Sequence, residues 1–138
     1  QPRSRGLGDV YKRQQIEVAP VSVTELARAP KGEPSASIRE RVIAARAIQT
    51  ERYKNEHGVH CNAQMSRAMI EQFAQLDAEA AQSLQRAMRR LDLSARAYDR
   101  ILKVARTIAD LDASPQIAAR HIKEAIGYRS LDRGDWGE

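Results

Sequence analysis

Apolar residues recur at helical intervals through most of the chain. In SARAYDRILKVARTIADL, Tyr98, Ile101, Leu102, Ala105, Ile108 and Ala109 follow one another at steps of three and four. At about 100° per residue they fall on one side of a helix. Arg96, Arg100, Lys103 and Thr107 fall on the opposite side, and Ser94 stands where an N-cap belongs. Upstream, Ser35 or Ser37 opens a predicted helix over residues 37–56, with Glu40 placed as in a capping box and Gly58 as its terminator. Ile38, Val42, Ala45 and Gln49 share one face of it, and Ile43 and Ala47 lie on the other. A helix apolar on more than one side usually packs between neighbours. Asn62 is the expected cap of a helix carrying Met65, Met69, Phe73 and Leu76. Asp77 is the expected cap of the next, with Ala80, Leu84, Ala87, Met88 and Leu91 in its stripe. Ser114, followed by Pro115 at the favoured first position, predicts a last helix with Ala118, His121, Ile122, Ala125 and Ile126 inward. Residues 128–138 are polar, hold two glycines, and read as a docked or frayed tail.

The N-terminal part follows another pattern. Ile16 and Val18 alternate with polar neighbours, which predicts a short strand with nothing in the chain to pair with. Thr24 can cap one turn, and Pro30, Gly32 and Pro34 make a linker. The expected architecture is an all-α helical bundle of about five helices with a short N-terminal extended segment. Its expected parts are residues 1–14, foreign or disordered; residues 15–34, a strand remnant and linker; and residues 35–138, the helical domain. Composition agrees. The 138 residues suit one domain, and 4% aromatics with few β-branched runs argue against a β-rich fold.

Charge changes the picture less than the net +5 suggests. Residues 1–14 hold Arg3, Arg5, Lys12 and Arg13 against Asp9, a net +3, and leave +2 for the rest. That segment lacks any helical or strand period, and its DVYKRQ resembles the translation of a sequencing adapter. The basic balance is therefore weak support for a nucleic-acid partner. One cysteine excludes a disulfide framework and a four-cysteine zinc site. No apolar run approaches the roughly 20 residues of a membrane helix, and no charged-then-apolar leader opens the chain. The expectation is a cytoplasmic protein with no membrane partner.

Candidate chemistry is sparse. His57, His60 and Cys61 lie close in sequence, but a metal site needs a fourth ligand and a rigid frame, so a polar turn is expected there and no metal. His121 lies on an apolar stripe, where a hydrogen-bonded core histidine is expected. GxxxxGK[ST] is absent, so this chain alone is expected to hold no nucleotide, and no catalytic residue is assigned. Arg96 and Arg100 carry more. With Ser94 as cap, Arg96 takes the second helical position, where a cation gains nothing from the helix dipole. It makes sense there if an anion such as phosphate is delivered to that end. An ordinary solvated arginine is the other reading.

SARAYDRILKVARTIADLD and HIKEAIGYRSLDRGDW resemble the C-terminal end of the magnesium-chelatase-like AAA+ ATPases of the YifB/ComM family. GEPSASIRERVIAARAIQTERY and the NAQM at residues 62–65 resemble the same family's upstream helices. The resemblance implies that the chain is the helical lid of a larger protein with a Lon-like N-terminal domain and an AAA+ core. It implies ATP and Mg2+ as cofactors of the parent, a hexameric parent, and the parent's own core as the lid's partner. Members of the ComM type are linked to DNA branch migration, which makes DNA a partner of the parent. The Ser-x-Arg opening of the lid helix in related proteins carries the sensor-2 arginine. That position falls on Arg96, with Arg100 the weaker candidate one turn on and Ser94 the cap. The family's Asp-Arg-Ile-Asp stretch, which carries a finger arginine, should stand where YKRQ stands here, so no finger is assigned. The alternative is a free-standing helical nucleic-acid-binding protein, supported by the Arg/Lys face opposite Tyr98. Binding that weakens steeply with salt would mark it.

Overall fold

The computed structural model describes residue 16, residues 18–28 and residues 32–128; residues 1–14 and all but the first residue of the 128–138 tail lie outside them. Among the described residues the chain is all-α. Its helices are α1 (Val23–Arg28), α2 (Ser35–Arg52), α3 (Arg67–Phe73), α4 (Ala78–Arg90), α5 (Ala95–Leu111) and α6 (Ala119–Gly127), with a 3-10 turn at Asn62–Gln64. None of them is long and apolar enough to cross a membrane.

Two of the expected caps form. Asp77 Oδ1 accepts from the Ala80 N–H at 2.7 Å, and Ser94 Oγ accepts from the Ala97 N–H at 3.2 Å. Each satisfies one of the N–H groups that a helix start leaves without a partner. Four other N-caps differ from the sequence reading. The N-cap of α2 is Pro34, whose side chain accepts nothing, so Ser35 and Ser37 fall inside the helix. The helix stops at Arg52 rather than near Glu56, because Tyr53 turns inward and sets its ring edge-on to Phe73 at 5.4 Å. Gly58, at φ +76°, serves the loop beyond.

Asn62 opens the 3-10 turn instead of capping α3, because buried hydrogen bonds consume its side chain. Ser66 caps α3, accepting from Met69 at 3.3 Å. Ser114 does not cap α6. Its N–H closes the end of α5 on the Ala109 carbonyl at 2.8 Å. The chain then runs extended, and Ile117 forms a parallel bridge with Leu76. α6 begins only at Ala119, after Ala118 donates its N–H to His121 Nδ1 at 3.0 Å.

The strand expected at residues 15–21 does not form among the described residues. Ile16, Val18 and Val21 are exposed, and among the described residues no sheet edge is present to satisfy their backbone. Val23–Arg28 is helical, opened by Ser22 and Glu25, which hydrogen bond reciprocally as a capping box; Thr24 is not the cap.

The core lies where α6 packs against both α4 and α5. The Leu76–Ile117 bridge stands just ahead of α4 and α6, with Asp77 N–H donating to the Ile117 carbonyl and Ile117 N–H to the Gln75 carbonyl, both at 3.2 Å. The chain therefore enters the two helices side by side, while α5 returns between them in sequence. Ala80, Ala105, Ala109 and Ala125 are all buried at this seam, and their small side chains let the backbones approach closely. Ile101, Ile117 and Ile122 fill the remaining volume. α2 departs from its expected packing between neighbours. Only Ala45 and Gln49 are buried, and Ile38, Val42 and Ile43 stay 44%, 47% and 60% exposed.

Both ends of the central helix connections use the same closure without glycine. After α4, Leu93 N–H reaches the Met88 carbonyl and Asp92 N–H the Arg89 carbonyl. After α5, Ser114 and Ala113 repeat this on Ala109 and Asp110. These are Schellman closures, which place the residue after the C-cap in the left-handed region. Asp92 has φ 46° and Ala113 φ 51°. An alanine there carries a steric cost of roughly 1–2 kcal/mol that glycine avoids. Ala113→Gly is therefore expected to raise unfolding stability by about 1 kcal/mol, offset in part by the greater freedom of unfolded glycine. Urea denaturation checks it, and a loss of stability would show that the backbone is not held left-handed.

Candidate functional site

The first turn of α5 is the expected anion-facing end. Ala97 is buried on the inner side, and Ile101, Leu102 and Ala105 continue that side into the core. This orientation leaves Arg96 exposed. No hydrogen bond or ion pair holds it among the described residues. Arg100 differs: it is half-buried and already engaged within the chain. The structure thus separates two arginines that periodicity grouped together. Beside them Tyr98 is half-buried under the Arg67 guanidinium, 5.4 Å from the ring centroid, and Arg67 also pairs with Asp99 and with Glu71 at 3.2 Å. Those pairs hold the Arg67 guanidinium above its usual range, Glu71 contributing most.

Sequence reasoning missed a buried polar constellation at the other end of α5. Asp110 and Arg106 are each only 2% exposed. Asp110 Oδ2 accepts from Arg52 Nη1 and Asn62 Nδ2, both at 2.8 Å, and Oδ1 accepts from Arg106 Nε at 3.2 Å and from Arg52 Nη2. Four donors fill the acceptor capacity of a carboxylate. Asn62 is filled as well. Its Oδ1 accepts from Arg52 at 2.9 Å and from the Tyr53 hydroxyl at 2.7 Å, while Nδ2 also donates to Thr107 Oγ1 at 3.0 Å. Arg106 donates onward to the Pro115 and Ser114 carbonyls at 2.9 and 2.6 Å.

Burial pulls the Arg106 guanidinium below its usual range, against the opposing pull of Asp110. The largely buried Arg52 is raised by its bond to Asp110. The cluster ties the end of α2, the 3-10 turn, α5 and the approach to α6 together. One signal for it was present in the sequence: Arg106 and Asp110 stand four apart beside the apolar stripe, the spacing of a helical ion pair. Lys103 and Thr107, expected on a solvated face, lie against the 3-10 turn, where Lys103 Nζ donates to the Ala63 carbonyl at 3.0 Å.

His57 and His60 are exposed and Cys61 half-buried in the polar loop after α2. Gln64 Oε1 accepts from the His60 N–H at 2.7 Å and faces Cys61 Sγ at 3.7 Å. Among the described residues no three His, Cys, Asp or Glu side chains converge to hold a metal ion. His121 is 1% exposed and bonded through both ring nitrogens. Nδ1 accepts from Ala118, so in the neutral ring Nε2 carries the proton and donates to Asp112 Oδ2 at 2.9 Å. That bond, then the one from Arg120, holds the Asp112 carboxyl below the usual carboxylate range.

Residues 32–129 match the family described as magnesium chelatase, subunit ChlI C-terminal. The chain is 44% identical over 102 residues to the uncharacterized protein YifB of Escherichia coli K12, covering 74% of this chain and 19% of that protein. It is 45% identical over 103 residues to the competence protein ComM of Haemophilus influenzae, covering 75% and 19%. The chain therefore spans about a fifth of the length of these relatives. On the extent of both matches, the chain belongs to the magnesium chelatase ChlI C-terminal family, with YifB and ComM among its relatives.

Proposed function

We propose that this domain is the lid of a magnesium-chelatase-like AAA+ ATPase and that Arg96 is its contact to nucleotide phosphate. The observation that carries the reading is an exposed arginine, without a partner among the described residues, in the first turn of a serine-capped helix whose other side is locked into the core. Its planar fork of donors suits phosphate oxygens, and the N–H groups of the helix start favour the same charge. ATP and Mg2+ would be held by the core of the parent, with Arg96 reaching from the lid. Because α5 is rigidly packed, rotation of the lid would carry Arg96 toward or away from that site.

The row of exposed apolar residues on α2, with Leu111 at 47% exposure, supports a covering neighbour, which in this reading is the AAA+ core. A free-standing nucleic-acid binder has no need of such a row. A hexameric parent acting on DNA, as a branch-migration motor, extends the reading through the likeness to a competence protein. The cytoplasm is the compartment this reading implies. Residues 15–138 alone are expected to turn over no ATP above a catalytically dead control, since no phosphate loop is present. The full-length protein should lose its turnover when this domain is deleted. Turnover by the isolated domain, or undiminished turnover without it, would overturn the proposal.

A further inference from the structure

A groove of about 310 Å³ lies between α2, the 3-10 turn and the end of α5. Val42 of α2 and Leu111 of α5, each 47% exposed, give it apolar walls. Its polar groups are unequally spent. Asn62 has a full set of partners, and Thr107 Oγ1 already donates to the Lys103 carbonyl and accepts from Asn62. Gln49 differs. Its Oε1 accepts from the Asn62 N–H at 3.1 Å, which fixes the other end of the amide as the nitrogen. That nitrogen, on a residue 4% exposed, carries two N–H groups with no acceptor among the described residues. A buried donor without an acceptor is costly and rare in a finished fold. Arg46, also in the lining, is exposed and without a partner among the described residues. No Asp or Glu is among the lining residues. The groove thus offers donors and one cation between apolar walls.

We propose that this groove receives an acidic side chain, with an aliphatic residue beside it, from a segment of the parent's AAA+ core. The proposal rests on the lid reading above and adds the chemistry of the contact. The carboxylate accepts from Gln49 Nε2 and pairs with Arg46, a charge-assisted contact, and the aliphatic neighbour covers Val42 and Leu111. The volume is at the small end for a ligand pocket and suits one or two side chains. The apolar row continues past Val42 to Ile38 and Ile43, which calls for a protein surface rather than a small molecule.

Cys61 lines the same groove, half-buried, and is the one cysteine of the chain, so its alkylation reports on occupancy. In the full-length protein the peptide bearing Cys61, quantified by mass spectrometry, should react with N-ethylmaleimide about tenfold or more slowly than in the 138-residue chain at the same pH, because access limits thiol reaction. Arg46→Glu should restore most of the reactivity by repelling the carboxylate. Gln49→Glu keeps an acceptor for the Asn62 N–H but removes the two donors, and should act the same way. If Gln49→Glu unfolds the domain by circular dichroism, Arg46→Glu decides alone. Equal rates in the full-length protein and the 138-residue chain overturn the proposal, and the lid reading survives that result wherever deletion of the domain still abolishes turnover. Protection that Arg46→Glu leaves intact also overturns it, by making the cover purely apolar. So does protection that disappears on dilution of the full-length protein, or that grows with the concentration of the 138-residue chain, since either places a second copy in the groove.

Discussion

Asp110→Ala is expected to destabilise the isolated domain by about 3–5 kcal/mol, the cost of breaking a buried ion pair and stranding its partners. Among the described residues the removed carboxylate is the only acid bonded to Arg106, which is 2% exposed, and it also neutralises Arg52. Asn62 Nδ2 would lose one of its two acceptors in the same step. Set against a total stability of roughly 5–15 kcal/mol, such a loss leaves the domain near unfolding at ambient temperature. The thermal midpoint should fall by more than about 10 °C, since each kcal/mol shifts a domain of this size by several degrees. Urea denaturation of residues 15–138 measures it directly.

Replacing Arg52, Asp110 and Arg106 together by Met, Leu and Met should cost less than Asp110→Ala alone, because no charge is then left buried. Recovery should stay incomplete, because the Ser114 and Pro115 carbonyls would lose the Arg106 donors that serve them. A loss below about 1 kcal/mol for Asp110→Ala would place the site among ordinary surface ion pairs.

The helical period was readable because each core helix buries one stripe, and α5 illustrates it: all six of its expected apolar positions face inward, with Tyr98 only half-buried. Asp77 and Ser94 were readable as caps because nothing else competes for their side chains. Asn62 and Ser114 have the same chemistry and were misplaced because tertiary partners claim them. Asn62 is consumed by Arg52, Tyr53, Thr107 and Asp110, and Ser114 closes α5 before the chain runs past Leu76. A sequence shows which groups need partners; partners 45 and 58 positions away are set by packing. The same limit hid the two glycine-free closures, at Asp92 and Ala113, because the usual glycine signal is missing there. The position of Arg96 on the outer side of α5 followed from periodicity, whereas the separate burial of Arg100 did not.

Arg96→Ala in the full-length protein is expected to weaken ATP binding or turnover roughly 10- to 150-fold, the equivalent of a charge-assisted hydrogen bond worth about 1.5–3 kcal/mol. The fold should be nearly indifferent, within about 0.5 kcal/mol, because the side chain is exposed and holds no partner among the described residues. Arg96→Lys keeps the charge but loses the planar fork, so it should fall between the wild type and Arg96→Ala. Arg100→Ala should affect nucleotide less, since it lies one turn from the helix start and is already engaged within the chain. Its larger effect should be on stability. Ser94→Ala tests the platform rather than the contact: removing the cap costs typically about 1 kcal/mol of helix stability. Its effect on ATP should shrink when the helix is held by added stabilisation elsewhere, as that of Arg96→Ala should not. ATP binding and hydrolysis that survive Arg96→Ala would remove this residue from the nucleotide site, and a domain that unfolds on the same change would make it a structural arginine.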